Sequence, residues 1–152
     1  MLADAGELLA VRHTRHRRAF PGLPARFEDP TAARAALEAE LDRPESEGVA
    51  AVANGKLTGY LVVDVADDYL GEPSAWMRLA GHALSDNAPT ALYRELYAEA
   101  AVSLPSKRCF DHYVEVPAND REALDAWFSL GFGHQQAHGL VSLVDAPTLP
   151  SG

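Results

Sequence analysis

Asn119-Asp120-Arg121-Glu122-Ala123-Leu124-Asp125-Ala126-Trp127-Phe128-Ser129-Leu130-Gly131-Phe132 is the stretch that decides the fold of this 152-residue chain. Asn119 has the chemistry of a helix N-cap, and Glu122 three residues later completes a capping box. Ala123, Leu124, Trp127 and Phe128 recur at helical spacing and give the helix one apolar face. Gly131 supplies the left-handed stop. Phe132 then opens a strand that the pattern extends to about Val144.

Working back from that segment, Phe110 to Val116 reads as a strand, by the alternation of Phe110, His112, Val114 and Val116. Before it, Asp86-Asn87-Ala88-Pro89 opens a helix. One stripe of that helix is Leu92, Leu96 and Ala100, its neighbour is Tyr93, Tyr97 and Ala101, and Pro105 ends it. A strand from about Ala75 to Leu84 precedes this helix. The strand-helix-strand unit from Ala75 to Val116 predicts a parallel pair joined by a right-handed crossover.

Further back, Val49 to Ala53 and Leu57 to Val63 flank Asn54-Gly55, a dipeptide suited to the positive φ angles of a tight hairpin. Two helices come first. One covers residues 5–19 with Leu8, Leu9 and Val11, and is stopped by Pro21 and Pro24. The other starts at Asp29-Pro30, carries Ala33, Ala36, Leu37 and Leu41, and is closed by Pro44 and Gly48. The order is helix, helix, three strands, helix, strand, helix, strand. That is an α/β fold with a mixed, mostly antiparallel sheet, one parallel β-α-β pair and flanking helices. It forms a single domain over 1–145, with 146–152 as a Pro-containing tail or linker.

Composition bounds the function. Hydrophobic residues are 47% and charged residues 23%, the balance of an ordinary globular domain. No apolar run approaches the ~20 residues of a membrane span, and Met1 to Glu7 lacks the pattern of a secretory signal. A cytoplasmic protein without membrane attachment is expected. The single cysteine, Cys109, leaves no internal disulfide and no cysteine-built zinc site. Thirteen basic residues against twenty-two acidic ones give a net charge of −9, which argues against a nucleic-acid partner. Residues 8–27 contain no acid, and there Arg12, Arg15, Arg17 and Arg18 sit among His13 and His16. Such a cluster suits an anionic ligand or a partner's acidic face, or is simply a solvated helix end.

The element order, the hairpin Val49 to Val63 and the segment Asp120 to Phe132 together resemble the GNAT superfamily of acyl-CoA-dependent N-acetyltransferases. The resemblance implies that the strands before and after the third helix splay apart. It places the pantetheine arm of acetyl-CoA, as co-substrate, in the gap, with its pyrophosphate on the amides at the start of that helix. Carried onto this chain, the cofactor-binding residues are Leu84, Ser85, Asn87, Ala88, Thr90 and Asn119. The catalytic candidates are Glu115 as base, Tyr113 on the same face of its strand, and His82 as donor to the thioester oxygen. No metal is implied.

Two features depart from the family pattern. The loop Gly81 to Thr90 has no glycine after Gly81 and no Arg or Lys. It carries Asp86, whose charge opposes a diphosphate, and Pro89, which removes one amide donor. The position where the family often places a thiolate-protonating tyrosine falls on Trp127, or on Ala126 if the helix is counted from Asn119. An indole N–H donates a hydrogen bond but is no general acid. Some tandem acetyltransferases pair a competent domain with a degenerate one, and Tyr93 to Tyr97, His112 to Val114 and Trp127 to Gly133 look like such a half.

Two functions are therefore expected. One is an N-acetyltransferase acting on a primary amine, the acidic chain suiting a cationic acceptor. The alternative is a non-catalytic domain for packing, dimerisation as a homodimer, or ligand sensing, with a second GNAT domain as partner.

Other chemistry-bearing residues have plainer readings. Tyr93 and Tyr97 line a pocket or pack on the sheet. His134 and His138 lie ~13 Å apart in a strand and cannot share one ion. Lys107 and Arg108 beside Cys109 would lower its pKa, yet a small core residue is the simpler role.

Overall fold

The computed structural model describes residues 1–67 and 71–139. Its helices are α1 (Leu2–Ala19), α2 (Pro30–Leu41), α3 (Leu92–Ala100) and α4 (Arg121–Ser129). Its strands are β1 (Glu47–Ala53), β2 (Lys56–Asp67), β3 (Pro73–Met77), β4 (His82–Leu84) and β5 (Asp111–Val114). The hairpin forms as Asn-Gly chemistry requires: Asn54 and Gly55 have φ of 51° and 75°, and Ala53 faces Lys56 across a two-residue turn.

The long strand β2 has two parts with different partners. Its first part pairs antiparallel with β1 on one side and with β4 on the other. Its last part, Asp64 to Asp67, pairs antiparallel with β3. β3 in turn pairs parallel with β5, Ser74 facing Asp111 and Met77 facing Val114. The expected parallel unit is therefore present, in a sheet of order β1-β2-β3-β5 with β4 beside β2.

Apolar alternation along β2 builds a core on each face. Leu61, Val63, Ala75 and Met77 meet Tyr93, Leu96 and Ala100 of α3 and Ala123 and Trp127 of α4. Tyr60, Val62 and Ala83 meet Ala5, Leu9 and Ala10 of α1 and Ala33 and Leu37 of α2. The two N-terminal helices cross closely at Gly6, where a Cβ would stand 2.8 Å from the Pro30 carbonyl oxygen. Only glycine fits there.

Several elements differ from the sequence pattern. The single strand expected over Ala75 to Leu84 is two, β3 and β4, separated by a 3₁₀ turn at Leu79–Gly81. Between the pairs Trp76–Asp64 and His82–Leu61, three steps along β2 face six on the other chain, so the intervening residues bulge out of the ladder.

α3 begins at Leu92, not at Asp86 to Pro89. Ser85 is still held to β2 through Thr58, and the Ala88 amide donates back to the Ser85 carbonyl at 2.9 Å. The chain is therefore in a turn where the cap was expected.

The N-cap of α4 is Asp120, not Asn119. Its carboxylate accepts from the Ala123 amide at 3.1 Å, which shifts the frame by one residue and removes Glu122 from a capping box. The C-terminal stop is as expected. Gly131 has φ of 94°, and the Gly131 and Phe132 amides donate back to Phe128 and Trp127 in a Schellman motif. Beyond it, residues 132–139 contain no strand. The remainder of the strand expected to Val144, and the tail 146–152, lie outside the described residues.

Candidate cofactor cleft

The site grows out of the divergence of two strands. β5 runs beside β3 as far as the Glu115 amide, which donates to the Met77 carbonyl at 2.9 Å. The neighbouring chain then leaves through the bulge at 78–81 and returns as β4, which pairs with β2 alone. A V opens between β4 and the continuation of β5. In an antiparallel ladder the backbone groups of alternate residues point away from the partner strand. Ser85 donates to Thr58 across the ladder, so Leu84 presents its N–H and C=O to the opening.

The apex of the V is closed by the protein's own side chains. His82 is fully buried. Its Nε2 lies 2.8 Å from the Glu115 carbonyl oxygen. A carbonyl only accepts, so Nε2 carries the proton. Nδ1 is then the acceptor, with the Tyr93 hydroxyl and Arg12 Nη1 each at 3.3 Å. Burial above all, with the Arg12 charge second, holds the His82 pKa down to about 3. The ring is neutral and bridges β4 to β5.

Arg12 enters from α1, buried, and its guanidinium donates to the carbonyls of His82 and Leu79. It thus pins both ends of the bulge. Trp127, also buried, packs on His82, Tyr93, Tyr97 and Phe132 with ring centroids 5.1–6.1 Å apart, and its indole nitrogen has no hydrogen-bond partner among the described residues.

Toward solvent the V widens into a cleft of about 400 Å³, lined by Leu84 and the loop after β4, Tyr93 of α3, the start of α4, and Arg15 and His16 of α1. Of the cofactor-binding residues expected from the sequence, Leu84, Ser85, Ala88, Thr90 and Asn119 line it and Asn87 does not. Asn119 has a buried Oδ1 without a partner among the described residues.

The start of α3 is largely spent as a donor. The Leu92, Tyr93 and Arg94 amides give their hydrogens to Pro89, Thr90 and Ala91 at 2.9–3.1 Å. The amides of Thr90 and Ala91 remain without a backbone acceptor among the described residues.

Sequence reasoning missed the charged groups that close the mouth. Arg15 reaches across it, with Nη1 3.0 Å from Asp86 and Nη2 3.1 Å from Asp120. His16 Nε2 lies 3.1 Å from the same Asp120 oxygen. That hydrogen bond is the main reason the Asp120 pKa drops to about 2. His16 itself is lowered, because its burial outweighs the carboxylate. The acid-free run 8–27 was the available signal, but periodicity could not say which of its arginines turn inward.

The catalytic candidates occupy different surroundings. Tyr113 stacks on Trp76, rings 4.4 Å apart and 20° from parallel. Glu115 is exposed and accepts the Leu79 amide at 2.9 Å through Oε2. His82 lies inside the sheet junction described above. Cys109 is buried, and burial raises its pKa, opposite to the direction that Lys107 and Arg108 suggested.

No family model matches the sequence, and no curated protein matches it. Solved structures do. The BH1408 protein from Bacillus halodurans, as a point mutant, aligns with a TM-score of 0.73 at 16% identity, over 93% of this chain and 92% of that one. A probable acetyltransferase gives 0.60 at 21%, covering 91% and 90%. Aminoglycoside N-acetyltransferase AAC(6')-Iy in complex with CoA gives 0.59 at 18%, covering 90% and 88%. With the parallel β3–β5 pair and the opening beside it, these likenesses give the chain the GNAT acetyltransferase fold.

Proposed function

We propose that this chain is a GNAT-type N-acetyltransferase domain that takes acetyl-CoA in the cleft at the mouth of the β4–β5 opening and transfers its acetyl group to a primary amine. The observation that carries the proposal is that cleft. It combines an unpaired strand edge at Leu84 for an amide-bearing arm with a wide mouth edged by Ser85, Ala88, Thr90 and Asn119. AAC(6')-Iy, which shares the fold, is known in complex with CoA.

In the reaction the amine nitrogen attacks the thioester carbonyl carbon, the carbon–sulfur bond breaks, and the products are the amide and the CoA thiol. The amine must first lose its ammonium proton. We assign Glu115 as the base, its Oε1 not engaged by the Leu79 amide, with Tyr113 two residues before it on the same face of the chain; neither lines the cleft itself. Trp127 can pack against the arm but cannot protonate the thiolate.

Acetyl-CoA should raise the melting temperature progressively with concentration, as any ligand of the native state does. Thermal scanning over a millimolar range checks this, and an unmoved midpoint would overturn the proposal.

A second reading is favoured by one observation, the Arg12–His82–Glu115 junction that fills the apex of the V. If that junction does not yield to the arm, the domain keeps the fold without the chemistry and serves as a packing, dimerisation or ligand-sensing module. Acetyl-CoA would then leave the midpoint where it is.

A further inference from the structure

Arg15 stands where two cavities meet. The cofactor cleft and a second cavity of about 470 Å³ along α1 are both lined by Arg15 and Asp86, so this ion pair forms the wall between them. Both partners are exposed, at 49% and 62% of the side chain, and exposed pairs are weak and screened. Asp120, the other partner of Arg15, is only 14% exposed. It is committed to His16 and to capping α4. Of the two carboxylates, Asp86 is the one that can leave.

Resting on the acyl-CoA reading above, we infer that Arg15 is the diphosphate ligand of this cleft and that the incoming anion takes the place of Asp86 on its guanidinium. The loop after β4 has no lysine or arginine, and the Leu92, Tyr93 and Arg94 amides are already bonded, leaving those of Thr90 and Ala91. Neutral amides can donate to a diphosphate but cannot balance its charge. The cations lining the cleft are Arg15, from α1, and Arg121, from α4, which has no ion-pair partner among the described residues. A guanidinium fork takes two phosphate oxygens as readily as two carboxylate oxygens.

Charge decides why Asp86 must move. With it in place, two arginines face Asp86, Asp120 and Glu122, and a dianion is opposed. With Asp86 turned to solvent, the remaining arginines and acids balance. The aspartate that looked hostile to a phosphate in the sequence is thus a placeholder on the residue that binds it.

Titration calorimetry at low salt with three probes tests this: CoA, pantetheine (the same arm without phosphate) and inorganic pyrophosphate. Arg15→Gln should weaken CoA and pyrophosphate about tenfold or more, the scale of one charge-assisted contact, and leave pantetheine unchanged. Asp86→Asn should tighten CoA and pyrophosphate severalfold. Arg15→Lys, which keeps the charge and loses the fork, should fall between wild type and Arg15→Gln.

Wild-type affinity for pyrophosphate in Arg15→Gln, or no tightening in Asp86→Asn, overturns the inference. So does a wild-type chain that does not bind pyrophosphate. Loss of CoA and pantetheine binding, with Arg15-dependent pyrophosphate binding retained, would sink the acyl-CoA reading and leave Arg15 as an anion ligand.

Discussion

Arg12 shows how one side chain can set the shape of a sheet. A guanidinium buried from water needs acceptors, and the bulge supplies the Leu79 and His82 carbonyls. Those carbonyls in turn have no ladder partner on that side, so each group answers the other's need. Arg12→Met keeps the apolar stem and removes the donors. It should destabilise the fold by about 2–4 kcal/mol, since two buried carbonyls lose charged partners. Urea unfolding measures the change, and a loss under about 1 kcal/mol would mean the bulge holds without it. None of this was legible in sequence. Arg12 looked like one of four similar arginines, and only the α1–β4 contact separates it from Arg18 on the surface.

Elements were legible where local chemistry is sufficient. The Asn54-Gly55 turn, the Asp29-Pro30 start of α2 and the Gly131 stop each depend on neighbours in sequence, and each stands where the pattern put it. The misplacements came from competition. Asn119 and Asp120 are both capping residues, and the sequence does not rank them. The structure gives the role to Asp120, which His16 and Arg15 also hold. Asp120→Ala should therefore cost about 1–2 kcal/mol of stability, by loss of the cap, and Asn119→Ala much less. Equal effects in thermal or urea unfolding would return the cap to Asn119. The split of the third strand had no local cause to read, because the bulge is pinned by a helix some seventy residues earlier in the chain. The same holds for the site. The cleft-lining loop residues followed from the resemblance, whereas the charges across the mouth came from α1, an element that the loop's own sequence does not mention.

For the whole molecule, burial of histidine couples stability to pH. His82 is held near 3 against an ordinary 6.5, and His16 is lowered as well. Below about pH 6.5 the unfolded chain takes up protons that these native rings refuse, so stability falls as the solution is acidified from 6.5 toward 3. Asp120 adds a loss of the same sign between its ordinary 3.8 and about 2. Melting temperatures across pH 7 to 4 should therefore decline, and His82→Gln should flatten the decline even as it lowers the starting value. A flat wild-type profile would contradict the buried neutral ring.

The double membership of β2 reaches further than packing. One wall of the opening, β4, hangs from the first part of that strand, while the other wall, β5, is carried by β3 on the last part. Between the two attachments lie only Val62 and Val63. The angle between the walls is thus set by the twist of a two-residue segment, and the His82–Glu115 hydrogen bond fastens them at the narrow end like the rivet of a pair of shears.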